Sequence, residues 1–72
     1  MDTDWIETVM GLNKRILAAQ AVVSAQVAAI VERTEAGEDT TREEGRLIAY
    51  QRDLRLLRAL RDTLLDEVKD EA

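Results

Sequence analysis

The acidic residues of this chain concentrate in one stretch, where carboxylates in numbers can bind a cation or a basic partner. The stretch contains Glu32, Glu35, Glu38, Asp39, Glu43 and Glu44. No calcium-loop spacing is present among them. They also surround Gly37, where one helix is expected to end and another to begin, and capping and solvation explain carboxylates at that place more simply. We therefore predict no metal site.

The residue types that carry most enzyme and cofactor chemistry are missing or isolated. The chain has no cysteine and no histidine, which removes disulfides, the commonest zinc and haem ligands, and the Glu-x-x-His pairs of di-iron bundles. Thr8, Ser24 and Thr63 have no neighbouring base to activate them, and there is no glycine-rich phosphate loop. We predict a non-enzymatic protein without catalytic, cofactor-binding or metal-binding residues.

The arginines of the second half of the chain are the remaining candidates for a functional site, because a row of arginines can bind nucleic acid. They are Arg42, Arg46, Arg52, Arg55, Arg58 and Arg61. On a helix they are distributed around the axis, and they are interleaved with Glu43, Asp53 and Asp62. The whole chain has a net charge of −5, which disfavours polyanions and anionic membranes. We expect neither a nucleic-acid nor a membrane partner.

Two long helices joined by a short turn are predicted to position all of these side chains. Ala, Leu, Val, Glu and Arg dominate the composition and proline is absent, which is typical of long helices. Gly37 favours a helix end, and Thr40 or Thr41 can begin the next helix. The predicted fold is all-α: an antiparallel two-helix hairpin, with helices at about 4–36 and 41–70, in a single domain spanning 1–72.

Each helix has an apolar face for the other. In the second helix the apolar residues alternate at spacings of three and four, and the first helix has a matching β-branched column. The predicted intrachain seam consists of Val9, Ile16, Val23, Ile30, Leu47, Tyr50, Leu54, Leu57, Leu64 and Val68. Arg61 interrupts this face, with Leu60 alongside. Its guanidinium is expected to reach carboxylates of its own helix or the acidic end at Asp2, Asp4 and Glu7. The outer face of the second helix is predicted to be charged.

The first helix is apolar on its far side as well. No charged residue occurs from Ile16 to Val31, and a stripe of small residues lies about 160–200° from the seam. A helix that is apolar all round is normally buried all round, and small side chains allow close helix contact. The predicted oligomer interface consists of Ala18, Ala21, Val22, Ala25 and Ala28. We expect a four-helix bundle or a higher helical oligomer; alternatively, alanine faces solvent here simply because it is the best helix former.

The same uncharged run is the only stretch that suggests a membrane. From Ile16 to Val31 a helix extends about 24 Å, short of the roughly 30 Å hydrocarbon core. The run also contains Gln20, Ser24 and Gln26, which are either exposed or buried polar residues that set the register. The N-terminus is acidic, whereas a secretory signal needs basic residues. We expect a soluble, cytoplasmic protein.

Three functions fit these surfaces. The first is a self-associating hairpin that scaffolds or adapts a larger assembly, with itself as partner, a dimer as the simplest assembly, and another protein as a further partner. The second is a small acidic inhibitor of the phage type, which binds a basic surface of a nucleic-acid-handling protein. The third is a small-ligand binder at a protomer interface.

Overall fold

Two helices make up the computed structural model, which describes residues 3–71 and the side chains of residues 3–69. They are α1 (Asp4–Glu35) and α2 (Thr41–Glu71). They contact each other along a rod of 57 × 15 × 13 Å. The radius of gyration is 16.7 Å, against about 11 Å for a compact domain of this length. The all-α helical hairpin is thus confirmed, with helix bounds within a residue or so of the prediction.

The end of α1 is specified by Gly37, as its sequence position predicted. Gly37 has a φ of +78°, in the left-handed region that favours glycine. The Glu38 N–H donates to the Arg33 carbonyl at 2.9 Å, and the Gly37 N–H donates to the Thr34 carbonyl at 3.0 Å. This pair of bonds is a Schellman motif, which satisfies the last carbonyl groups of the helix and reverses the chain.

The start of α2 is held by Asp39. Its carboxylate accepts hydrogen bonds from the Thr41 hydroxyl at 2.7 Å and from the Thr41 N–H at 3.1 Å. The Thr40 carbonyl accepts from the Glu44 N–H at 2.9 Å and begins the helical ladder. Thr40 is therefore the N-cap, one of the two residues that the sequence offered. The side chain that accepts hydrogen bonds at this helix start is that of Asp39, because an aspartate readily accepts from the N–H two residues on.

The core of the hairpin is very small. Among residues 3–69 the buried apolar side chains are Leu12, Ile16 and Leu54. Ile16 and Leu54 lie near the middle of the rod and Leu12 lies about one turn from Ile16 towards the open end, and none of them is fully shielded from solvent. Chains of this size rarely obtain more than about 3–5 kcal/mol from a single core, even a complete one. Apolar burial therefore contributes little to the free energy of unfolding of the isolated hairpin.

Candidate protein interface

The residues predicted for the intrachain seam lie on the side of each helix that is shielded by the other. Ile16 and Leu54 are buried. The remaining eight are half-buried: Val9, Val23, Ile30, Leu47, Tyr50, Leu57, Leu64 and Val68. One helix shields each of these side chains only in part, so the seam leaves apolar surface in contact with water.

The four alanines predicted for the oligomer interface lie on the outer side of α1, away from the seam, and Val22 lies between them and the seam. All five of them are exposed: Ala18, Ala21, Val22, Ala25 and Ala28. Larger apolar side chains beside them, Met10, Leu17 and Val31, are exposed too. The outer side of α1 is therefore a continuous apolar surface that nothing in the hairpin covers.

The outer side of α2 is less polar than the sequence suggested. Leu56 and Leu60 are 60% and 59% exposed, and Ile48 is exposed as well. The sequence predicted a charged outer face, with Leu60 alongside Arg61 at the seam; Leu60 does lie beside the seam, but it is exposed. In the structure Arg61 takes the half-buried position, with its Nε 3.2 Å from the Asp62 carboxylate. This outcome fits the expectation that Arg61 reaches a carboxylate of its own helix; Asp2 lies outside the described residues.

A groove beside the seam joins the apolar surfaces of the two helices. It has a volume of about 560 Å³ and is lined by Ala19 and Val22 from α1 and by Leu56, Leu57 and Leu60 from α2. A second groove of about 480 Å³ also contains Leu56 and Leu60 and reaches Leu12. Because the two grooves share these leucines, they form one furrow that runs from the middle of the rod towards its open end, which we call the lateral groove.

The lateral groove has one basic and one acidic wall residue. Arg15 lines it from α1 and Asp53 lines it from α2. Within the described residues, the two ion pairs are Arg33–Glu43 and Arg61–Asp62, so neither wall residue is paired inside the chain. The groove therefore combines an apolar floor with opposite charges on its two sides.

The end of the hairpin near the turn contains a polar cluster. Glu43 is the buried charged residue of the described chain, and its carboxylate pairs with Arg33. The half-buried Gln26 donates its amide N–H to the Glu43 backbone carbonyl at 3.2 Å. Of the other polar residues in the apolar run, Gln20 is half-buried and Ser24 is exposed. Gln26 thus links α1 to α2 and helps to set their register.

The remaining acidic residues of the turn do not converge on a common point. Among the described residues, no three acidic side chains are placed so that they could hold a metal ion. Asp39 is engaged in capping α2 and Glu43 in the ion pair with Arg33. These two carboxylates therefore stabilise the turn and the start of α2.

Length and composition alone would allow α1 to span a membrane. Its most apolar stretch has a mean hydropathy of 1.4, and 6% of that stretch is buried in the hairpin. Core helices of soluble proteins and signal sequences meet the same criterion. What the observation establishes is that α1 carries far more apolar surface than α2 covers.

The comparison with known proteins gives no further guide to this surface. No protein-family model matches the chain, and no curated protein or solved structure matches it either.

Proposed function

We propose that this protein is a non-enzymatic, self-associating helical hairpin that serves as an interaction or scaffolding module. The single observation that carries the proposal is the uncovered outer side of α1. From Ile16 to Val31 this helix has no charged residue, and the five residues predicted for the oligomer interface are all exposed. Contiguous apolar surface of this kind marks interaction sites in soluble proteins.

The total exposed area supports the same proposal. The hairpin exposes 5676 Å², whereas a compact monomer of 8.1 kDa exposes about 4,500 Å². The excess is about 1,200 Å² per chain, or about 2,400 Å² for a pair, which falls in the range buried by obligate homodimers. Association of two copies would therefore give each chain the burial that its own fold does not supply.

Light scattering coupled to gel filtration at tens of micromolar protein tests the proposal. We expect a mass of two or more times 8.1 kDa. Ala25→Glu should shift the mass towards the monomer while circular dichroism retains much of the helical signal, because a carboxylate is costly to bury without a partner. Gln51→Glu is the matched control, since it adds the same charge at an exposed polar position of α2.

Two results would contradict the proposal. One is a wild-type protein that elutes as a monomer of 8.1 kDa at every concentration and still melts cooperatively. The other is an equal loss of mass in Ala25→Glu and Gln51→Glu, since this would mean that added charge, rather than its place on the surface, governs association.

A further inference from the structure

We propose that two copies of this chain pack α1 against α1 in antiparallel orientation, with Lys14 of each copy paired with Glu32 of the other. The inference rests on the proposed self-association and specifies the orientation of the two hairpins and the charged contacts that determine it. The surface is the outer side of α1, which nothing in the hairpin covers. The second hairpin lies on it with its turn pointing the opposite way.

The outer side of α1 has a basic residue at one end and an acidic residue at the other. Lys14 lies four residues before the first of its alanines, Ala18, and Glu32 lies four residues after the last, Ala28. Both charged residues are nine positions from Val23, which is about two and a half helical turns. Val23 is half-buried on the seam, and Lys14 and Glu32 are exposed. The two charges therefore lie on the side of α1 opposite Val23, in line with the alanines.

Lys14 and Glu32 have no opposite charge close to them in their own helix. Neighbours on a helix surface are three and four positions apart. At those positions Lys14 has apolar residues and a glycine, and Glu32 has alanines and one further glutamate. Both ion pairs in the part of the chain that the structure describes join other residues. The two charges are therefore available to a partner.

A two-fold axis perpendicular to α1 makes this pattern self-complementary, as an interface between identical copies must be. When the axis passes at the level of Val23, each residue is level with the residue of the other copy that lies equally far on the opposite side of Val23. Lys14 then faces Glu32 twice, and Ala18 is level with Ala28. Packed helix axes are about 8–10 Å apart, a distance that a lysine and a glutamate side chain span together.

The same charges disfavour the other two-fold arrangement and other occupants. An axis parallel to the helices keeps every residue level with its own counterpart, so that Lys14 faces Lys14 and Glu32 faces Glu32, and like charges placed opposite each other are costly. The two charges are about 27 Å apart along α1, too far for one small molecule to contact both. Anionic lipid is disfavoured by the net charge of −5. A second copy provides the apolar surface and the two opposite charges at the same spacing.

Charge reversal tests the pairing. Lys14→Glu and Glu32→Lys each replace two opposite-charge contacts by two like-charge contacts, so we expect about a tenfold weaker dimer for each. The double variant, Lys14→Glu with Glu32→Lys, restores both contacts and should dimerise like the wild type. Sedimentation equilibrium measures the affinities, and circular dichroism checks that the helices persist.

Glu32→Lys also separates pairing from general repulsion. It changes the net charge by +2, from −5 to −3, which by itself would strengthen association between acidic chains. Asp66→Lys is the matched control, because Asp66 is an exposed residue of α2 and the net charge changes by the same amount. Its dimer should be as tight as that of the wild type or tighter, whereas that of Glu32→Lys should be weaker.

Introduced cysteines test the orientation, since the chain has no cysteine of its own. In the antiparallel dimer, position 18 of one copy is level with position 28 of the other, whereas identical positions are about 15 Å apart along the axis. A disulfide joins residues whose Cα atoms are within about 7 Å. A mixture of Ala18→Cys and Ala28→Cys should therefore form a linked dimer on mild oxidation, and each variant alone should not. Non-reducing electrophoresis distinguishes the products.

The outcomes separate this inference from the proposed function. A monomeric wild-type protein overturns both. The antiparallel pairing is overturned, and self-association left standing, by a wild-type oligomer whose double charge variant associates no more tightly than the single ones. The same holds if Glu32→Lys and Asp66→Lys behave alike, if either cysteine variant links alone as readily as the mixture, or if the mixture does not link.

Discussion

The two regions of this hairpin, the turn end and the middle of the rod, are built on different principles. At the turn end the polar groups find partners within the chain: the Schellman motif at Gly37, the hydrogen bonds from Thr41 to Asp39, and the cluster of Gln26, Arg33 and Glu43. Among the described residues no buried side-chain nitrogen or oxygen lacks a partner. In the middle, by contrast, three apolar side chains are buried and many more are exposed.

The difference shows that topology and stability come from separate places in this molecule. Hydrogen bonds and one glycine at the turn determine that the chain reverses and in which direction α2 leaves. They contribute little free energy, because exposed hydrogen bonds exchange with water at small net gain. Stability depends on apolar burial in the middle, where α1 and α2 alone cover too little. The following substitutions test this division, from the largest expected effect to the smallest.

Ile16→Ala tests the middle of the rod and should have the largest effect. Ile16 is 3% exposed, and removing a buried isoleucine side chain costs about 2–5 kcal/mol. Its neighbour Leu17 is 65% exposed, so Leu17→Ala should change the free energy of unfolding by about 0.5 kcal/mol or less. Urea unfolding followed by circular dichroism at fixed protein concentration measures both. Equal losses would show that the seam does not carry the stability.

Glycine substitutions test the turn, and the same change should have opposite signs at two sites. Gly37→Ala should destabilise by about 1 kcal/mol, because its φ is +78° and an alanine is strained there although its Cβ meets open space. Gly45→Ala lies inside α2, also with open space around the added Cβ, and should stabilise by about 0.5–1 kcal/mol. Thermal melts of the two variants beside the wild type give both signs. A stabilising Gly37→Ala would contradict the assigned turn.

The turn and the helices were predictable because their signals are local. Gly37 stands where the apolar pattern stops, and a left-handed residue there is what a helix end commonly requires. The acceptor at the start of α2 was less predictable, since Asp39, Thr40 and Thr41 are all good capping residues and only the backbone path selects among them.

The lateral groove was not predicted, because it depends on how far each helix rotates about its own axis. Leu57 and Leu60 are separated by about 60° on a helix, and Arg61 stands beside them. A seam centred on Leu54 brings Arg61 to a half-buried position and leaves Leu60 exposed. The spacing of Leu56 and Leu60, four residues apart, was the available signal. The sequence already placed Arg61 on the seam with Leu60 alongside, but it did not show that α1 leaves this flank of α2 uncovered.

Glu43→Gln tests the polar cluster near the turn with a smaller effect. The substitution keeps the shape of the side chain but removes the charge that pairs with Arg33, while Gln26 still has the backbone carbonyl as acceptor. We expect a loss of about 0.5–1 kcal/mol, which shrinks with added salt because Arg33 is partly exposed. Glu44→Gln is the control at the adjacent exposed position. If both variants lose the same stability, net charge rather than the pair is responsible.

Asp39 provides the smallest and most local test, through pH. Hydrogen bonds from the Thr41 hydroxyl and then from the Thr41 N–H hold the pKa of Asp39 below its ordinary value of 3.8. In the folded chain the carboxylate therefore binds its proton at lower pH than in the unfolded chain. Its contribution to the free energy of unfolding is present above pH 3.8 and is lost as the pH falls through the lowered folded value.

Urea unfolding at a series of acidic pH values isolates this contribution. Asp39→Asn keeps an oxygen that accepts from Thr41 but does not titrate, so its stability should fall less steeply than that of the wild type as the medium is acidified. Thr41→Val keeps the N–H and removes the hydroxyl, and its slope should lie between the two. If all three slopes coincide, the hydrogen bonds to Asp39 do not stabilise its charged form. In that case the turn at Gly37 and the packing of the seam would be sufficient to determine where α2 begins.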